Sequence, residues 1–174
     1  MKYYKATPDS LSFGITAGVI ILFLAIGFIP SVLSDYSADP DRGMTIRILI
    51  NVLNCSILLF CYLFHPAGYE LTAELLIIRR PAKNRIISFS EIREIKSVPR
   101  EDLKWSVRTL GNGGVFGYYG KFFNNSFGSM TWYASQRDHF VMIILNEGEK
   151  VVVTPDDLSF KNDISTYIPH PTPS

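Results

Sequence analysis

The sequence predicts an α+β membrane protein in which a two-helix transmembrane hairpin precedes a β-rich domain of about seven or eight short strands closed by one helix. Three observations carry this. Residues 11–33 hold 23 positions with no charged side chain, and a second apolar run covers about 45–65. From residue 69 onward the apolar runs shorten and alternate with turn residues, the pattern of successive strands. Phe160, Ile164, Tyr167 and Ile168 then fall at i, i+4, i+7 and i+8, the stripe of one amphipathic helix. The chain divides accordingly into an N-terminal tail and hairpin (1–66), a β-domain with its helix (67–169) and a disordered tail (170–174).

The first span, at ~1.5 Å per residue, reaches about 35 Å and crosses a hydrocarbon core of about 30 Å with some tilt. Lys2 and Lys5 before it also fit a secretory signal, with a small-residue site near Ser34, but the apolar run is long for that role. A second span only ~11 residues later makes a helical hairpin the more economical account. That second span carries Arg47 near its start, from where the side chain can snorkel to the interface, and Asn51, Asn54 and Ser56 within. Gly14 with Gly18, and Asn51 with Asn54, are the helix-packing candidates, either within the hairpin or in self-association. Lys2, Lys5, Arg79, Arg80, Lys83 and Arg85 flank the spans on one side, against Arg42, with Arg47 at its edge, in the connecting loop. The positive-inside rule then puts both termini and the β-domain in the cytoplasm.

Composition narrows the function classes. From Pro66 onward 13 Lys and Arg stand against 12 Asp and Glu, which leaves no field to steer the domain to nucleic acid. Both cysteines, Cys55 and Cys61, lie six residues apart in the second span and form neither a disulfide framework nor a zinc spacing. His65, His139 and His170 are scattered, and no nucleophile elbow or zincin motif is present, so no catalytic residue, metal ligand or cofactor site is assigned. The Asn124-Asn-Ser126 sequon has no bearing on a cytoplasmic loop.

In order, the domain reads as strands at 69–72, 74–79 and 85–89, a helical turn beginning within 90–95 before the chain runs extended through Ser97 and Val98, and strands at 105–110, 130–134, 140–145 and 150–154. The segment at 140–145, FVMIIL, is apolar at every position, as a strand buried on both faces would be. Thr154 is the expected N-cap of the closing helix, Pro155 its first residue, and Asp156 and Asp157 complement its dipole.

Between these strands lies RTLGNGGVFGYYGKFF, residues 108–123. Its glycines do not make a phosphate loop. A Walker motif needs glycine where Val115 stands and Ser or Thr where Phe122 stands, and the dinucleotide fingerprint needs glycine in place of Phe116. Two readings remain. In one, the glycines supply bulges and positive φ while Phe116, Tyr118, Tyr119, Phe122 and Phe123 alternate between core and rim. In the other, the outward half of those aromatics is a contact surface for a partner, a second copy or the membrane interface.

This strand and helix order, with the residues GYELT (68–72), LLII (75–78), Ile87 to Ile95, RTLGNGGVFGYYGKFFN, TWYAS (131–135) and VTPDD (153–157), resembles the bacterial pleckstrin-homology-like (PH-like) domain proteins that carry two N-terminal membrane helices. The resemblance covers the chain from Leu11 to Ile168. It implies an antiparallel PH-like barrel capped by the C-terminal helix, an address at the bacterial cytoplasmic membrane, and no reaction. The resulting expectation is a non-enzymatic binding or assembly module whose partner is another protein or a second copy. The alternative is an accessory subunit of a membrane transport or envelope complex acting through its helices. Arg79, Arg80, Lys83 and Arg85 are candidates for contact with anionic headgroups, or else form a solvated turn.

Overall fold

The computed structural model describes residues 1–33 and 40–167; most of the connecting loop, Ile168 of the helical stripe and the tail lie outside the described residues. The N-terminus forms a strand, β1 (Lys2–Lys5), followed by the long helices α1 (Ser10–Leu33) and α2 (Pro40–Phe64). Their apolar stretches, Ser10–Phe28 and Gly43–Phe64, are long enough to cross a membrane and almost nothing in the protein covers them. Exposed Phe13, Leu24, Phe28, Leu49 and Phe60 would be costly in water, which supports membrane anchoring.

Nine strands follow: β2 (Gly68–Leu71), β3 (Leu75–Arg79), β4 (Arg85–Ser88), β5 (Ile92–Val98), β6 (Val107–Gly113), β7 (Tyr118–Asn124), β8 (Gly128–Ala134), β9 (Phe140–Leu145) and β10 (Lys150–Val153). A single helical turn, α3 (Arg100–Leu103), links β5 to β6, and α4 (Ser159–Ser165) closes the domain. The expected seven or eight strands become ten with β1, because the glycine stretch itself forms most of a hairpin, β6 and β7. They are hydrogen-bonded as two sheets, in the orders β1-β2-β3-β4 and β5-β9-β10-β8-β7-β6. The break falls at a 3-10 turn, Phe89–Glu91, where the chain leaves one sheet for the other.

One pair departs from antiparallel order. β10 inserts between β8 and β9 and runs parallel to β8, with Val152 opposite Trp132. This central position explains why Val151, Val152 and Val153 are fully buried. The FVMIIL strand is buried throughout, as its composition requires. Val141, Ile143 and Leu145 join a core with Leu76, Ile78, Ile87, Phe160 and Ile164, while Phe140, Met142 and Ile144 join a second core with Phe122, Trp132 and Leu103.

The N-terminal residues play a role that their charge pattern hid. β1 pairs antiparallel with β2, Tyr4 opposite Tyr69, and so crosses the expected domain boundary. Tyr4 is buried with its ring edge-on to Phe160, centroids 5.0 Å apart. Its hydroxyl donates to Asp163 of α4, which also takes Lys2 Nζ at 2.5 Å. Because β1 precedes α1 while β2 follows α2, a hairpin that crosses a membrane leaves the N-terminus and the domain on one side.

The closing helix starts later than its capping signal indicates. Thr154 is no N-cap: its Oγ1 accepts from the backbone N–H of Ser135 at 2.9 Å, and its own N–H donates to the Tyr69 hydroxyl at 3.0 Å. Asp156 instead binds Thr7 through both its backbone N–H and its hydroxyl, and the Asp156 N–H donates to Lys5 O. The segment after β10 is thus held extended by the N-terminus, and α4 begins at Ser159, whose N–H bonds Asp157. Replacing the Tyr4 ring removes the buried aromatic contact between β1 and α4 and leaves only the exposed Lys2–Asp163 pair. Tyr4→Ala is expected to destabilise the protein by about 3 kcal/mol, the usual range for an aromatic truncated in a core, measurable by thermal melting in detergent.

Candidate functional site

The glycine stretch meets the two helices at the end of the hairpin that adjoins the domain. β6 and β7 pair from Val107 opposite Phe123 to Gly113 opposite Tyr118, with a bulge between Arg108 and Leu110. Gly111 and Gly120 face each other across the pair, both at positive φ (117° and 120°), and a Cβ on either would come within 2.7 Å of the other's Cα. Only glycine lets the strands approach this closely.

The tip, residues 114–117, lies against α1. Ser12 Oγ donates to Gly114 O at 2.8 Å, and the Phe116 N–H donates to Thr16 Oγ1 at 2.8 Å. A Cβ on Gly114 would strike Ile15. The Phe116 ring packs edge-on to Tyr62 of α2 at 5.8 Å. Tyr119 reaches the same helix: its hydroxyl donates to Cys61 O at 2.7 Å and accepts from Asn112 Nδ2 at 2.8 Å. The turn between β3 and β4 adds a further cap, Ala82 N–H to Leu63 O at 2.9 Å. Carbonyls that the end of α2 leaves without helical donors are thereby satisfied by the domain.

Asp9 completes the junction. It caps α1, with Oδ1 accepting from the Ser12 N–H at 2.7 Å, and also receives the Tyr118 hydroxyl at 3.2 Å and Arg137 Nε at 3.4 Å. Burial, then the Asp9 charge, pushes the Tyr118 hydroxyl up to about 12, with Arg137 opposing. Burial likewise raises Tyr69 and Tyr119 well above the ordinary tyrosine range.

The five aromatics named from the sequence are therefore distributed. Tyr118, Tyr119 and Phe122 are buried, Phe116 is half-buried between the helix ends, and Phe123 is 46 % exposed. The larger exposed apolar surface of this hairpin lies on β6 and just before it: Trp105 is 80 % exposed, Val107 65 % and Leu110 72 %. Strand alternation across WSVRTL places Trp105 and Val107 on one face; Leu110 is out of that alternation, beyond the bulge between Arg108 and Leu110. Among the described strands β6 pairs only with β7, so it is a sheet edge.

The four cations after the second span do not act as one cluster. Arg79 forks onto buried Glu70 (Nη2 at 2.5 Å, Nε at 2.6 Å), and Arg85 pairs with Glu149 at 3.2 Å. Arg80 lies over the rings of Phe64 and Tyr133, while Lys83 is exposed in the turn that caps α2. Within the helices, Gly14 and Gly18 face open space and take no part in the contact between α1 and α2. Gly27, which sequence reading passed over, lies against Asn51, and Asn54 Nδ2 reaches Phe23 O at 3.5 Å. No group of three His, Cys, Asp or Glu side chains converges as a metal site among the described residues.

Two long apolar helices bonded to a two-sheet domain with a closing helix define a class: a β-domain joined to a membrane anchor. The family model for the bacterial PH domain matches residues 67–166, more than half of the chain, and the chain belongs to that family. No curated protein and no solved structure matches it.

The buried tyrosines set a pH limit. The folded state favours their neutral form, so their contribution is intact below pH ~10, where an unfolded tyrosine ionises, and is lost as pH rises toward 12. Stability followed by circular dichroism should stay flat with respect to these groups from pH 7 to 9 and fall between 10 and 12, and Tyr118→Phe should reduce that slope.

Proposed function

We propose that the protein is a non-enzymatic binding or assembly module held at the cytoplasmic face of a bacterial inner membrane, with the edge strand β6 as its partner-binding element. One observation carries the reading: β6 has an unpaired edge flanked by exposed Trp105, Val107, Leu110 and Phe123, in a domain whose other large apolar side chains are mostly buried. An extended segment of a partner protein, or the same strand of a second copy, can add to such an edge. Backbone hydrogen bonds then supply affinity and the apolar side chains supply selectivity. The bonds to α1 and α2 keep this edge close to the bilayer, which raises its effective concentration toward other membrane proteins.

The cytoplasmic orientation rests on the excess of Lys and Arg flanking the domain side of the spans. Lys83, beside the end of α2, is the cation best positioned for headgroup contact, since Arg79 and Arg85 are engaged by carboxylates.

A photo-crosslinking residue at position 110 in native membranes should give a discrete adduct, to a second copy or to one other protein. Val107→Asp should abolish it without changing the circular dichroism spectrum, whereas the same probe at Glu94 on β5 should give none. Absence of an adduct at 110, or one indifferent to Val107→Asp, would remove the edge as the binding element. For orientation, a C-terminal green fluorescent protein fusion should fluoresce and a C-terminal alkaline phosphatase fusion should be inactive; the reverse pair would put the domain outside.

A further inference from the structure

The six-stranded sheet has a second feature that the edge-binding reading does not use. Its face opposite the core shared with the smaller sheet holds a cavity of about 650 Å³ between α3 and the strands β6 to β9. That lies within the roughly 300–1,000 Å³ typical of small-molecule sites. The floor is aromatic: Phe122 stacks on Trp132 with centroids 4.3 Å apart, and Phe140 lies 5.2 Å from the same indole.

Three of the four charged residues around this floor are cationic. Arg100 and Lys104, both exposed, stand on the rim with neither engaged in an ion pair among the described residues. Lys104 Nζ lies 5.5 Å over the ring of Trp105, which places a cation and an aromatic face at the entrance together. Arg137 lines the wall beside Tyr118, but Asp9 already partly engages it. Glu101 is the one carboxylate among the lining residues. Trp132 is 5 % exposed and its Nε1 is buried with no hydrogen-bond acceptor. A buried donor left unpaired costs on the order of 1–3 kcal/mol.

We propose that this cavity binds a small amphipathic anion: an apolar or planar body lies on Phe122, Trp132 and Phe140, and a carboxylate, sulfonate or phosphate head is held by Arg100 and Lys104. The aromatic floor alone would take a neutral body, while the unpaired rim cations select for negative charge. The site does not depend on β6 acting as a binding edge; Trp105 and, at the end of β6, Gly113 are common to both.

The chain has two tryptophans, so its indole N–H resonances test the site directly. The full-length protein in phosphatidylcholine nanodiscs is titrated with 1-naphthaleneacetate, and Trp105→Phe assigns the two signals. The Trp132 N–H is expected to shift saturably as the cavity fills. The neutral analogue 1-naphthaleneethanol should bind at least tenfold more weakly, and R100E/K104E should weaken naphthaleneacetate at least tenfold with an unchanged melting temperature. An unmoved Trp132 signal, equal binding of the two naphthalenes, or wild-type affinity in R100E/K104E would overturn the proposal. Nanodiscs containing phosphatidylglycerol separate the sources of the anion. A Trp132 shift without added probe identifies a bilayer lipid, and a shift only with naphthaleneacetate identifies a ligand from the aqueous side; either supports the site.

Discussion

Hydroxyl and carbonyl groups at the domain end of two apolar helices need hydrogen bonds, and the β-domain supplies them. Ser12 and Thr16 sit early in α1, where an unpaired hydroxyl beside lipid would be costly. Both are engaged by the tip of the β6–β7 hairpin, and Thr16 also donates to Ser12 O. On α2, Cys61 O and Leu63 O accept from Tyr119 and Ala82. The tip is able to reach this far because Gly111 and Gly120 let its strands close together and Gly114 leaves room for Ile15. The consequence is a domain docked on its anchor by directional bonds.

A second set of long-range contacts ties the chain ends into the same body. The first strand, which precedes both helices, completes the smaller sheet, and its Tyr4 and Lys2 meet Asp163 of the last helix. Asp9, only four residues beyond that strand, caps α1 while receiving Tyr118 and Arg137 from the β-domain. The anchor is therefore enclosed in sequence by elements of the domain. Tyr118 and Arg137 of the β-domain thus touch the residue that caps the first membrane helix.

Much of this was legible in the chain. Length and hydropathy gave the two spans, alternation gave the strands, and the uninterrupted apolarity of FVMIIL gave a strand with a core on each side. The glycine stretch was recognisable as backbone crowding, since its spacing fits no phosphate motif. Lys2 and Lys5 read as flanking charges because a four-residue strand carries too little pattern to distinguish it from a charged tail. Thr154-Pro-Asp-Asp read as a helix start because those residues do cap helices when nothing else competes; here Ser135, Tyr69 and Thr7 compete successfully. Gly14 and Gly18 face open space while Gly27 lies against Asn51, since only the crossing of the helices decides which glycine meets a neighbouring helix.

The sequence by itself determined the helical hairpin, the order of the strands other than β1 and β7, the closing helix, and membership in a known domain family. Each follows from periodicity, length or residue pattern along a continuous stretch. Tertiary structure alone decided that Tyr118, Tyr119 and Phe122 turn inward while Trp105, Val107 and Leu110 turn out. It also decided that rim cations and an unpaired indole surround one cavity. Those outcomes depend on residues that meet across sheets and from α3 to β8, often dozens of positions apart, and no local pattern encodes which of them will meet.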